Sequence, residues 1–262
     1  MSSRPLTSAA YPVPPATDPI GPATHRPQPD IAGRTLRSAA GAIETEATAK
    51  PDASPRLYQA LRCDPQDQAA CILVKTEKLL RTYGHHKIRV AEIADACGFS
   101  AANVYRYFST RSAILDALAS HYLREAERTA LAGVIRGGCS ARDRLDAFLI
   151  GLNTALIIFS DSEPKVSELL ADAAAEQRPC YLRHDARVVR RIAVILAAAA
   201  ASGEFWLEGD AAQEARCVKA AACALVEPDV IRLRRDRYDV SARKSLSRLI
   251  AAALLNRSVS PS

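Results

Sequence analysis

Apolar residues recur at helical spacing from Gln68 onward, and no segment shows the strict alternation of a half-buried strand. Ile72, Leu73, Leu79 and Leu80 form one stripe, closed by Gly84 at a suitable C-terminal position. A short helix is predicted at Val90–Cys97 and a second at Ala101–Phe108, with Gly98-Phe99-Ser100 between them. Arg111 to Arg128 reads as a longer helix carrying Ile114, Leu115, Leu118 and Tyr122 on one face, and Gly137-Gly138 breaks the chain after it. Further helices are predicted at Ala141–Phe159, Glu163–Gln177, Tyr181–Ser202, Ala211–Val226 and Ser241–Leu255. Pro179, Gly203, Gly209 and Pro228 mark breaks, while Pro164 suits a first helical turn. The expected fold is all-α, and no internal repeat is present.

The first 66 residues differ in kind. Eleven prolines from Pro5 to Pro65 interrupt helices before they propagate, and large apolar residues are sparse, so residues 1–66 are expected to be a disordered tail. The proline-free stretch Ile31–Ala49 leaves room for one short helix, and residues 258–262 form a second tail. Arg34, Arg37, Arg56 and Arg62 read as a solvated linker that could also brush phosphates.

Composition sharpens the picture in three ways. The 48% hydrophobic content of the 262 residues supplies a core, and the low aromatic share of 5% with recurrent Ala favours helix against helix. The seven cysteines contain no C-x-x-C pair and read as buried thiols of a reducing cytosol. No signal peptide is evident and no stretch is expected to approach the ~18 apolar residues of a membrane span. The expected location is therefore cytoplasmic. The net charge of +6 is compatible with a polyanion partner without requiring one.

The chemistry concentrates in Val90–Leu118. Val90, Ile93 and Ala94 give the first short helix an apolar face, and Gly98 suits a tight turn. Phe99 can tuck between the helices, and Ser100 is a good N-cap for the second. On that helix Val104 and Phe108 share the core side, leaving Ala101, Ala102, Asn103, Tyr105 and Arg106 opposite, with Tyr107 at the margin. Small residues at the helix start allow approach to a major groove, where Asn pairs with adenine and Arg with guanine. The tyrosine hydroxyls suit phosphate oxygens. A short packing helix with a solvated face fits the same spacing equally well.

The run Ile93-Ala94, Gly98-Phe99-Ser100, Val104-Tyr105-Arg106-Tyr107-Phe108, then Arg111 with Ile114-Leu115, resembles the signature of the TetR family of repressors. The resemblance covers about Ala69 to Tyr122. It implies a three-helix DNA-binding domain over residues 67–124, followed by a helical dimerisation and ligand-binding domain over 125–257. Carried over by position, it implies Ala101, Ala102, Asn103 and Arg106 facing bases and Tyr105 and Tyr107 on the sugar-phosphate backbone. Arg111 stands where the family usually has Lys and keeps the positive charge for a phosphate, and Ser100 is counted with these residues among those expected to bind DNA. Arg89 departs from the pattern, since Thr is usual there as a cap and phosphate ligand; the cap is expected to be lost, with a longer cationic side chain reaching the phosphate instead. The implied partners are an operator duplex, which would place the bound chain at the nucleoid, a second copy of the chain and a small-molecule effector that releases DNA, with repression the usual outcome.

Charge agrees: Gln68–Arg124 holds eight Lys or Arg against four acids. His85 and His86 read as exposed loop residues and not as a metal site. Phe148, Phe159, Tyr181, His184 and Trp206 are candidates for an effector pocket, with Phe205 beside them, although core packing explains each individually. The alanine run Ala197–Ala201 permits close packing and a dimer contact. The basic run Arg232, Arg234, Arg235 and Arg237 reads as solvated surface. No Gly-rich phosphate loop, H-E-x-x-H, G-x-S-x-G or metal-ligand cluster is present, so neither an enzyme nor a cofactor is expected. An interaction or sensor module without operator binding is the remaining alternative; the polar face at Ala101–Tyr107 argues against it.

Overall fold

The computed structural model describes residues 67–136, 140–234 and 239–255. The expected tails, the helix within Ile31–Ala49, the Gly137-Gly138 break and Arg235 and Arg237 lie outside the described residues. Among those described there are eleven helices and no strand: α1 (Gln68–Tyr83), α2 (Val90–Cys97), α3 (Ala101–Tyr107), α4 (Arg111–Arg136), α5 (Ala141–Ser162), α6 (Pro164–Ala175), α7 (Pro179–Ala201), α8 (Ala211–Ala221), α9 (Cys223–Val226), α10 (Pro228–Arg234) and α11 (Val240–Leu255). A short 3-10 turn, His85–Lys87, joins α1 to α2.

Most boundaries fall within a few residues of the pattern, and the exceptions have local causes. α4 continues past Arg128 because Ala126 and Ala130 stay buried and Leu131 and Val134 pack on the core. The helix expected over Ala211–Val226 is interrupted at Ala222 (φ −87°, ψ 11°). Pro228, read as a break, instead heads α10, since its fixed φ and missing N–H suit a first turn.

α5 lies at the centre, against α4, α6, α7, α9, α10 and α11. It is the one described helix long and apolar enough by length and composition to cross a membrane, which corrects the expectation that no such stretch exists. Here its apolar residues Leu145, Phe148, Leu149, Leu152, Leu156 and Phe159 are buried in the bundle. α4 and α5 approach so closely at Gly151 that a Cβ there would stand 2.8 Å from the Ala130 Cα. Asn153, buried on α5, donates from Nδ2 to the Leu225 carbonyl at 3.0 Å and ties in α9.

α1 is fixed to the rest by a polar cluster. The Tyr122 hydroxyl donates to Glu77, Arg81 bonds Glu77 at 3.0 Å, and Arg81 also reaches Glu163 just before α6. Burial first, and then the Glu77 carboxylate, push the Tyr122 hydroxyl pKa upward. The five described cysteines are free thiols: Cys180 is buried and Cys71 and Cys97 are half-buried, whereas Cys217 and Cys223 are exposed and depart from the expectation of buried thiols. Burial and the nearby Asp116 raise the Cys180 thiol to about 11.

Candidate nucleic-acid interface

The second and third helices are positioned by three local devices. Gly98 is left-handed (φ 70°, ψ 31°), and the Phe99 N–H donates back to the Ala94 carbonyl at 2.9 Å, closing α2 with a six-to-one bond. Phe99 is half-buried and packs on the core. Ser100 Oγ accepts from the Asn103 N–H at 3.2 Å and starts α3. On the inner side Ile93, Ala94, Val104 and Phe108 are buried, so α3 can present only one face to solvent.

That face carries Ala101, Ala102, Tyr105 and Arg106, all exposed. The other expected contacts are placed differently. Asn103 is half-buried, and its Nδ2 donates to Gln68 Oε1 of α1 at 3.1 Å. Tyr107 is half-buried against the core. Arg111, expected to meet a phosphate, turns inward: its Nε donates to the Ile88 carbonyl at 2.6 Å and its Nη2 to that of His85. Arg89 is exposed, and the expected loss of a cap is offset from the other direction, because Glu92 Oε2 accepts from the Arg89 N–H at 2.8 Å.

Two groups were missed. Gln68 holds the Asn103 amide, and nothing in the sequence links positions 35 apart. Thr110 Oγ1 accepts from the Ala113 N–H at 3.0 Å at the start of α4. A hydroxyl three residues ahead of a helical N–H is the usual capping spacing, so this one was available.

Farther along α4, a cavity of about 300 Å³ lies between α4, α5 and α7. Leu131, Phe148, Val188 and Val194 form its apolar wall; Arg187, Arg190, Arg191 and Glu127 supply its polar groups. Of the five side chains expected in a pocket, Phe148 lines it. Phe159 is buried edge-on against Tyr122, with ring centroids 5.4 Å apart. Tyr181 donates its hydroxyl to Glu227, within a cluster that also holds Lys219. His184 is buried with Nδ1 2.6 Å from Glu127 Oε1, and Arg187 forks onto the same carboxylate with two bonds of 2.8 Å. Burial of Glu127 would raise its pKa, but these bonds outweigh it and the carboxyl is lowered. Trp206 is 58% exposed and outside the cavity; Phe205 beside it is buried. His85 is buried, not the exposed loop residue expected, while His86 is exposed.

Two short helices joined through a left-handed glycine, backed by a third and continued by a long helix into a second bundle, define a helix-turn-helix transcriptional regulator. Residues 72–118 match the family model for bacterial regulatory proteins of the tetR family, and residues 141–242 match that for the tetracyclin repressor-like C-terminal domain. Together the matches span more than half of the sequence, and the chain belongs to the TetR family.

Solved structures share the fold at low identity. A Rhodococcus sp. RHA1 protein of unknown function is 18% identical with a TM-score of 0.55, over 79% of this chain and 100% of that one. The fatty acid degradation regulator FadR of Bacillus halodurans is 14% identical with a TM-score of 0.52, over 72% and 94%. FadR of Bacillus subtilis in complex with stearoyl-CoA is 15% identical with a TM-score of 0.52, over 71% and 96%. No curated protein matches the chain.

Proposed function

We propose that this chain is a sequence-specific DNA-binding repressor, acting in the cytoplasm as a homodimer, that a small-molecule effector releases from its operator. Residues 67–124 are the reading module and residues 125–257 the regulatory and dimerisation module. The observation that carries the reading is the single exposed face of α3. Arg106 and Tyr105 project beside Ala101 and Ala102, while Val104 and Phe108 lock the opposite side into the core. Arg106 reads a base edge, the alanines permit close approach, and Tyr105 and Arg89 meet phosphates. In a dimer the two α3 helices enter successive major grooves about 34–36 Å apart. The exposed Ala197, Ala198 and Ala200 of α7 suit an interface between copies.

The cavity between α4, α5 and α7 suits an amphiphilic anion, because its apolar wall and the exposed Arg190 and Arg191 serve the two ends of such a molecule. The stearoyl-CoA held by the Bacillus subtilis FadR is of that chemical kind. α4 supplies Glu127 and Leu131 to the cavity, and its first residue, Arg111, holds the turn that leads into α2. A ligand that displaces α4 therefore moves the reading helices and lowers DNA affinity.

Selection from a random duplex pool at stated salt tests the reading. An enriched, roughly palindromic sequence bound by the wild type and weakened by Arg106→Ala supports it. No enrichment overturns it in favour of an interaction module.

A further inference from the structure

We propose that His85, His86 and Asp172 form a binding site for a divalent transition-metal ion of the Zn²⁺ type, bridging the turn ahead of the reading helices to α6. The Nε2 atoms of both histidines converge on one carboxylate oxygen, Asp172 Oδ2, at 3.0 Å for His85 and 3.1 Å for His86. The three ligand atoms lie within 4.8 Å of one another. Neighbouring residues of a chain rarely aim their side chains at one point. Here the 3-10 turn folds the two rings to a centroid separation of 3.9 Å, tilted by 36°. Tetrahedral Zn²⁺ with bonds of 2.0–2.1 Å separates its ligand atoms by about 3.3 Å, so each histidine–carboxylate pair needs to open by only a few tenths of an ångström.

The donor set selects the metal. Two imidazoles and one carboxylate suit Zn²⁺ and its transition-metal neighbours, whereas Mg²⁺ and Ca²⁺ favour all-oxygen sites. Three protein ligands also leave a position for water.

The surroundings prepare the ligands. His85 is 4% exposed and its Nδ1 has no hydrogen-bond partner, so the ring is held through Nε2, the atom that faces Asp172. Arg111 anchors the same turn through the His85 carbonyl, so the backbone carrying both histidines is already ordered. An ion there cross-links the turn to α6 and stabilises the folded chain by mass action.

The experiment uses the full chain, stripped with a chelator and titrated with Zn²⁺ alone against a chromophoric competitor, then with Co²⁺ alone while the visible spectrum is recorded. The wild type should take up one tightly held ion and show the intense visible bands of low-coordinate Co²⁺. His86→Ala and Asp172→Asn, each confirmed as folded by circular dichroism, should weaken Zn²⁺ binding by more than about tenfold and lose those bands. His86 is exposed and Asp172 half-exposed, so both variants spare the core. A Cys217→Ser/Cys223→Ser variant should bind like the wild type. Equal affinity in wild type, His86→Ala and Asp172→Asn overturns the proposal, as does no binding, or binding lost only with the thiols. Uptake is read without DNA, so its outcome is independent of operator binding.

Discussion

Arg111 Nε donates to the Ile88 carbonyl at 2.6 Å, joining the first residue of α4 to the residue that precedes Arg89 and α2. A second bond from the same guanidinium, to the His85 carbonyl, makes Arg111 a staple across the turn. Arg111→Ala should therefore cost about 1–2 kcal/mol of stability in urea unfolding, because two backbone acceptors lose a charged donor. The slope of DNA affinity against salt should stay unchanged, whereas loss of a phosphate contact would flatten it. Full stability with a flatter slope would return Arg111 to the phosphate backbone.

Arg106 and Asn103 should separate in their effects. Arg106→Ala is expected to weaken operator binding by about 1–3 kcal/mol and relax selectivity at one base pair, measured by titration of single-substituted duplexes. Asn103→Ala and Gln68→Ala should each act mainly on stability, and the double variant should cost less than the sum, because one bond joins the two side chains. A change of base preference on Asn103→Ala would show that the amide leaves Gln68 in the complex.

Gly151→Ala should destabilise the protein by about 1–3 kcal/mol in thermal or urea unfolding, since the added methyl enters a close-packed contact between α4 and α5. The obstructing atom is the Ala130 Cα, so Ala130→Gly should not restore the loss. Restoration would mean that the helices separate more easily than their packing implies.

His121 gives stability a defined pH window. Burial, then the charges of Arg128 and Arg124, lower its pKa to about 4, and neither ring nitrogen has a hydrogen-bond partner. Below pH 6.5 the unfolded chain takes up a proton that the folded chain refuses until about pH 4. Stability should thus fall across that interval by roughly 3 kcal/mol from this residue. In urea titrations at pH 7 and pH 5, His121→Leu should show a smaller loss than wild type. An equal loss would place the ring in contact with solvent.

Features whose causes lie within a turn or two of chain are legible from the residues alone. The helical period of Val90–Phe108, the Gly98 turn, the Ser100 cap and the burial of Val104 and Phe108 all depend on neighbours three to five positions away. The motif Gly98-Phe99-Ser100 with Val104–Phe108 carried the family for the same reason. Tertiary structure decided where ambivalent side chains point. Arg111 has a charge for phosphate and a fork for carbonyls, and only the proximity of His85 and Ile88, 26 and 23 positions away, directs it inward. Asn103 is drawn to Gln68 across 35 positions, and Asp172 gathers two histidines more than 80 positions before it. Trp206 lies open and Phe159 closed although both are aromatic, because a hydrophobic side chain is buried only where another element comes to cover it.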